Sequence, residues 1–188
     1  NSISAHLFLL SDIFKEKKYS TIHIQGASSA FVNKEKFFRA QGYDSFYSSS
    51  TEELRKFARP SKEWNSWGVP DEDMFAFATL KLDELNNRNK PFFMTLLTLN
   101  THGPYKCYGV QPKITNGLLR CLRGSDNGFG KFFEYFENSN LKENTLLILV
   151  ADHAAHPDIE YSKLSINRKI HTGYDKIAFG ILFPGANK

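Results

Sequence analysis

A chain of 188 residues suits one domain, and 41% hydrophobic residues with 17 phenylalanines can fill a substantial core, which excludes a disordered chain. The net charge of +4 is mild and the lysines are scattered, so no basic stripe marks a nucleic-acid partner. No apolar stretch approaches the roughly 20 residues of a membrane helix, and no signal-peptide pattern opens the chain.

In chain order, residues 4–17 place Leu7, Leu10 and Phe14 on one helical face and end in "KEKK", a solvated terminus whose cations complement the helix dipole. "YSTIHIQ" (19–25) is the first strand. It ends in "QGASSAF", and a helix follows within "NKEKFF". Residues 45–69 form the least regular stretch and predict a long excursion above a sheet. Residues 70–88 predict a helix that starts at Pro70, carries Asp71, Glu72 and Asp73 in its first turn, and lines up Met74, Ala78, Leu82 and Leu85.

"FFMTLLTLN" (92–100) is a second strand, running into "NTHGPY". Cys107 and Cys121 follow in a loop-rich region. They leave two readings open: a bridge contributing about 3 kcal/mol by loop closure, or two unpaired thiols. Residues 126–138 set Phe129, Phe132, Phe133 and Phe136 at helical spacing, a core stripe. "TLLILV" (145–150) is uninterrupted and branched, as in a strand buried on both faces, and "IAFGILF" (177–183) is a fourth strand.

Strands alternating with helices imply crossover connections, hence an α/β fold with a largely parallel sheet covered by helices on both faces. Ligands of such sheets bind outside the carboxyl ends of the strands. "QGASSAF", "NTHGPY" and "ADHAAH" are the most polar and Gly-rich junctions, and all three fall on that edge.

Asp152 and His153 pair a carboxylate with an imidazole, a donor set suited to Zn²⁺ or Mn²⁺ better than Ca²⁺, with Mg²⁺ as a further option. The plainer reading is an Asp that caps a turn beside a surface histidine. His102 follows the second strand, where Gly103 and Pro104 turn the chain. It could donate to an anionic ester oxygen, or "HGPY" could be turn chemistry alone. Ser28 lies in G-x-S-x-A after a strand, which admits a nucleophile with Asp152 and His171 in the order Ser, Asp, His. Against it, the next helix starts several residues late. Gly26 and the serines, with Lys34, can instead surround an anion. His156 reads as a solvent-exposed side chain.

Five blocks in one order, "GASSAFVNKEKFFRAQGYDSFY", "WGVPDEDMFAFATLKLDEL", "KPFFMTLLTLNTHGPY", "DNGFGKFFEYFENSNLKENTLLILVADH" and "KIAFGILFPG", cover roughly residues 5–185. Together they resemble the lipoteichoic acid synthase and phosphoglycerol transferase branch of the sulfatase and alkaline phosphatase superfamily. The resemblance implies a three-layer, alkaline-phosphatase-like catalytic domain and a metal-dependent transferase or hydrolase of phosphate or sulfate esters. It implies one divalent ion, Mn or Zn, held in part by Asp152 and His153, and a substrate phosphate contacted by His102. Lys34 falls where relatives place an arginine that grips the same group.

The implied reaction is transfer of a phosphoglycerol or phosphoethanolamine group from phospholipid to a glycan or lipid acceptor. The implied location is the periplasmic or extracytoplasmic face of a bacterial inner membrane, reached through upstream anchoring helices. Three departures stand out: Lys34 is a point charge in place of a guanidinium, Val32 replaces an aromatic residue, and Ala154 replaces a glycine. They lend weight to a rival, a binding module that has lost its chemistry; a sulfatase and a serine hydrolase acting through Ser28 are the other rivals.

The first residue is Asn1 and the chain stops soon after a strand-like run. Both features predict a partial catalytic domain over 1–188, truncated at both ends, and the resemblance implies a Thr or Ser nucleophile and an acidic metal ligand upstream of it. The 188-residue chain is therefore expected to be inactive alone. Metal-dependent turnover by it, abolished by Asp152→Ala, would overturn that expectation.

Overall fold

The computed structural model describes residues 7–107, 113–154 and 177–186. Five helices, α1 (Leu10–Glu16), α2 (Lys34–Ala40), α3 (Glu52–Phe57), α4 (Asp71–Asn87) and α5 (Gly117–Asn138), alternate with strands β1 (Ser20–Gln25), β2 (Ser45–Tyr47), β3 (Phe92–Leu97), β4 (Leu147–Val150) and β5 (Phe179–Leu182). One sheet is parallel, in the order β2-β1-β3, and β4 pairs antiparallel with β5.

β1 occupies the centre of the parallel sheet because both of its faces can be covered. Ile22 and Ile24 join Met74, Phe77, Ala78 and Leu82 of α4 in the main core, and Phe132 and Phe136 of α5 extend it. α5 crosses α4 closely at Gly128, where a Cβ would sit 2.8 Å from the Glu72 Cα. The alternate residues Thr21, His23 and Gln25 are equally buried on the opposite face, beneath α1 and α2. There the His23 ring stacks on Phe38 at 3.7 Å and bonds Thr95 Oγ1 at 2.7 Å and Gln25 Oε1 at 3.2 Å. The buried polar row is thus partnered, as burial demands.

Helices lie on both faces of the parallel sheet, as the alternation of elements predicts, but four expectations need correction. The 145–150 run is not buried on both faces: Ile148 and Val150 are 50% and 54% exposed. Among the described residues β4 pairs with β5 alone, so little covers its side chains apart from the core contact of Leu147. The stretch 45–69 is no mere excursion, since Phe46 is buried in β2, opposite His23 of β1, and α3 follows. Three residues are too few to show alternation, which is why the strand escaped notice. The 126–138 helix begins nine positions earlier, at Gly117, where the Asn116 side chain accepts the Leu119 N–H as an N-cap. In the first helix Leu7 and Leu10 face solvent, and Phe14 alone of the expected stripe stacks on the sheet, against Phe93 at 4.7 Å.

Cys107 and Cys121 form a disulfide with Cα atoms 5.3 Å apart, closing a separation of 14 residues and tying the loop after β3 to α5. Opening it by Cys107→Ala with Cys121→Ala is expected to cost about 3 kcal/mol in urea unfolding; unchanged midpoints would contradict this.

Two buried groups titrate in opposition. Burial pushes the Asp71 carboxyl up to about 6, against its hydrogen bonds from Ser125, Leu99 and Asn100, and pushes the His23 imidazole down to about 4. A raised carboxyl holds its proton better folded than unfolded, so its contribution is full in acid and fades as pH rises through about 6. A lowered imidazole contributes above its ordinary value and fades as pH falls towards about 4. In thermal unfolding against wild type, the deficit of Asp71→Asn should therefore shrink from pH 4 to 7, and that of His23→Gln should grow. Parallel curves would contradict the assignment.

Candidate functional site

The carboxyl ends of β1 and β3 and the segment after β4 carry the residues of interest. Beyond β1, the Gln25 side chain donates to the carbonyls of Ala27 and Ser28, both at 3.3 Å, and braces the turn. Ser28 Oγ lies 3.0 Å from Ser50 Oγ, and the Ala30 N–H donates to it at 3.3 Å. A 3₁₀ turn at Phe31–Asn33 separates Ser28 from α2, in which Val32 and Asn33 adopt left-handed φ of 51° and 55°. That conformation is uncommon for any residue with a Cβ and strained for a β-branched one.

Lys34 opens α2 with its Nζ 5.7 Å from the centroid of Phe31. Partial burial lowers its pKa, and the negative charge of Asp152 acts in the opposite sense.

The turn after β3 is held from below. The fully buried Asp71, at the start of α4, accepts the backbone N–H of Leu99 at 2.8 Å and of Asn100 at 3.2 Å, and the Ser125 hydroxyl at 2.6 Å. The His102 N–H then donates to the Leu99 carbonyl at 3.0 Å. Above this base, the Trp67 ring lies 4.3 Å from the His102 ring, and its Nε1–H donates to the Gly103 carbonyl at 2.8 Å. The same carbonyl lies 2.8 Å from His102 Nδ1. A carbonyl only accepts, so Nδ1 carries a proton and Nε2 is the nitrogen available to a ligand.

Asp152 and His153 follow β4 with side chains 71% and 61% exposed, and Asp152 Oδ2 lies 3.6 Å from His153 Nε2. His153 Nδ1 is 2.7 Å from the Ala154 carbonyl, which again assigns the proton to Nδ1 and the lone pair to Nε2. Two donors at about 2.0–2.1 Å from a tetrahedral ion stand about 3.4 Å apart, so this O and N pair fits two positions of one coordination shell. Among the described residues no cluster of three His, Cys, Asp or Glu completes such a shell.

The sequence-predicted residues therefore divide in three. His102 and Lys34 are joined by a continuous aromatic contact, since Phe31 meets Trp67 edge to face at 5.6 Å. Asp152 and His153 stand together after β4, in a separate two-stranded sheet. Ser28 is engaged with Ser50 and lacks the immediate helix of a nucleophile elbow; its expected partner His171, like His156, lies outside the described residues. Sequence reasoning missed Trp67, Phe31 and the structural work of Asp71. For Asp71 the first-turn acidic run suggested only dipole complementarity. For Trp67 the one signal was an aromatic residue beside Gly68 in a stretch read as irregular.

Comparison with known proteins places the fold among described families. The family model described as Sulfatase matches residues 1–175. Phosphoglycerol transferase I of Xanthomonas axonopodis pv. citri (strain 306) is 29% identical over 157 residues, 79% of this chain and 22% of that protein. The protein of that name from Escherichia coli (strain 55989 / EAEC) is 28% identical over 155 residues, 78% of this chain and 20% of that protein. The chain thus spans about a fifth of the length of these curated relatives. Among solved structures, the lipoteichoic acid synthase LtaP from Listeria monocytogenes superposes with a TM-score of 0.76 at 18% identity, over 97% of this chain and 47% of that one. A protein in the alkaline phosphatase superfamily from Vibrio parahaemolyticus gives 0.75 at 26% identity, over 98% and 43%. The matched family model leads to one conclusion: this chain belongs to the sulfatase family, within the sulfatase and alkaline phosphatase superfamily.

Proposed function

We propose that this chain supplies the anion-gripping side and two metal ligands of an enzyme that transfers a phosphoglycerol or phosphoethanolamine group. The donor is a phospholipid and the acceptor a glycan or lipid. The observation that carries this reading is the aromatic chain from Lys34 through Phe31 and Trp67 to His102, together with the donor spacing of the Asp152–His153 pair after β4, in a chain similar to phosphoglycerol transferases.

Each group has a distinct task. The Lys34 ammonium, partly desolvated beside Phe31, neutralises one phosphoryl oxygen with a charge that water screens incompletely. His102 presents Nε2 to a second oxygen. As an imidazolium it donates a hydrogen bond there, and as neutral imidazole it accepts a proton. Asp152 and His153 hold their donor atoms at a spacing that suits Mn²⁺ or Zn²⁺. When bound, such an ion would withdraw charge from the phosphoryl oxygens and make a nearby hydroxyl more acidic.

The Cys107–Cys121 disulfide supports an oxidising, extracytoplasmic location, such as the outer face of a bacterial inner membrane. Among the described residues no helix is long and apolar enough to cross a bilayer.

In the intact protein with Mn²⁺, vesicles of phosphatidylglycerol or phosphatidylethanolamine should release diacylglycerol, the product left when the head-group phosphate moves to the acceptor. Lys34→Ala and His102→Ala should each lower the rate by on the order of 10²-fold, and Asp152→Ala should lose the metal measured by mass spectrometry. Hydrolysis of a sulfate ester without diacylglycerol release would instead identify a sulfatase. Neither activity, with no metal in the wild type, would identify a binding module.

A further inference from the structure

Trp67 belongs to neither strand end, yet it touches both. It reaches the sheet edge from the segment between α3 and α4, where the Asn65 side chain accepts the N–H groups of Trp67 and Gly68 at 2.8 and 3.1 Å and donates to Asn100 Oδ1 at 3.2 Å. Gly68 continues the clamp. Its φ is 145°, and a Cβ there would fall 2.1 Å from the Gly26 carbonyl, so the chain passes directly against the end of β1.

From this seat the indole lies 4.3 Å from the His102 ring and meets Phe31 edge to face at 5.6 Å, and Phe31 carries Lys34 at 5.7 Å. Its Nε1–H shares the Gly103 carbonyl with His102 Nδ1, each at 2.8 Å. A carbonyl has two lone pairs, and these two donors use both. The indole therefore fixes the carbonyl that in turn fixes the imidazole.

We infer that Trp67 is a positioning residue for His102. Through the shared Gly103 carbonyl and the ring contact it holds the imidazole in its Nδ1–H form with Nε2 toward the ligand, and it spaces His102 from Lys34. The inference rests on the reading that His102 and Lys34 grip a phosphoryl group. It is separable from that reading because the state of the His102 ring can be observed without turnover.

The test uses the intact protein, labelled with ¹⁵N-histidine, and follows the His102 ring nitrogens by NMR alongside diacylglycerol release. His102→Ala identifies the signals. Trp67→Phe keeps a ring but removes the Nε1–H, and Trp67→Leu removes both contacts. Trp67→Phe should lower the Nδ1–H fraction of neutral His102 and slow release about five- to tenfold, the effect of one lost hydrogen bond of about 1 kcal/mol. Trp67→Leu should go further on both readouts, with circular dichroism unchanged.

If His102→Ala slows release while both Trp67 variants leave the ring signals and the rate at wild-type values, the inference is overturned. Equal losses in Trp67→Phe and Trp67→Leu with unshifted ring signals would also overturn it, by reducing Trp67 to a packing residue. If His102→Ala does not slow release but Trp67→Phe shifts the ring signals, the positioning survives and the phosphoryl-binding reading of His102 fails.

Discussion

A single buried carboxylate organises the active edge. Asp71 sits at the amino end of α4 and receives two backbone N–H groups from the end of β3 and a hydroxyl from α5. Three elements far apart in sequence thus meet on one side chain with no solvent to compete. Such hydrogen bonds to a charged group are stronger than neutral ones, and burial also makes losing one partner expensive. Asp71 cannot move without releasing Leu99 and Asn100, and the His102 turn hangs on that pair. The disulfide at Cys107 fastens the far end of the same loop to α5, so the turn is anchored on both sides.

Much of this was legible in the sequence because burial leaves a periodic trace. Met74, Ala78, Leu82 and Leu85 repeat at helical spacing and all are buried. β1 and β3 carry long enough runs of branched and aromatic residues to be recognised as strands. The placement of Lys34 beyond β1 and of His102 beyond β3 followed from a rule about parallel sheets, which needs only the order of elements; β4 pairs antiparallel with β5 in a separate sheet, so the rule does not extend to Asp152 and His153.

What escaped was structure without period. β2 is three residues long, and its place in the sheet depends on pairing with β1 and on the Phe46 contact with His23. The Trp67 clamp depends on side chains converging from three loops, which no local pattern records. β4 misled in the opposite direction. A continuous apolar run normally signals a strand covered on both faces, but its partner among the described residues is β5 alone, and its side chains remain largely exposed. The strain at Val32 and Asn33 was equally invisible, because a left-handed backbone at a branched residue runs against local preference and is sustained only by its surroundings.

The central claim is that Lys34, His102 and the Asp152–His153 carboxylate–imidazole pair act on one phosphoryl group. The most direct measurement is a crystal structure of the intact protein with Mn²⁺ and glycerol phosphate, using anomalous scattering to place the metal. The account expects an anomalous peak ligated by Asp152 and His153, with phosphoryl oxygens at hydrogen-bonding distance from Lys34 Nζ and His102 Nε2. A manganese ion held elsewhere while Asp152 and His153 make no bond to it, or a phosphate away from both Lys34 and His102, would contradict it.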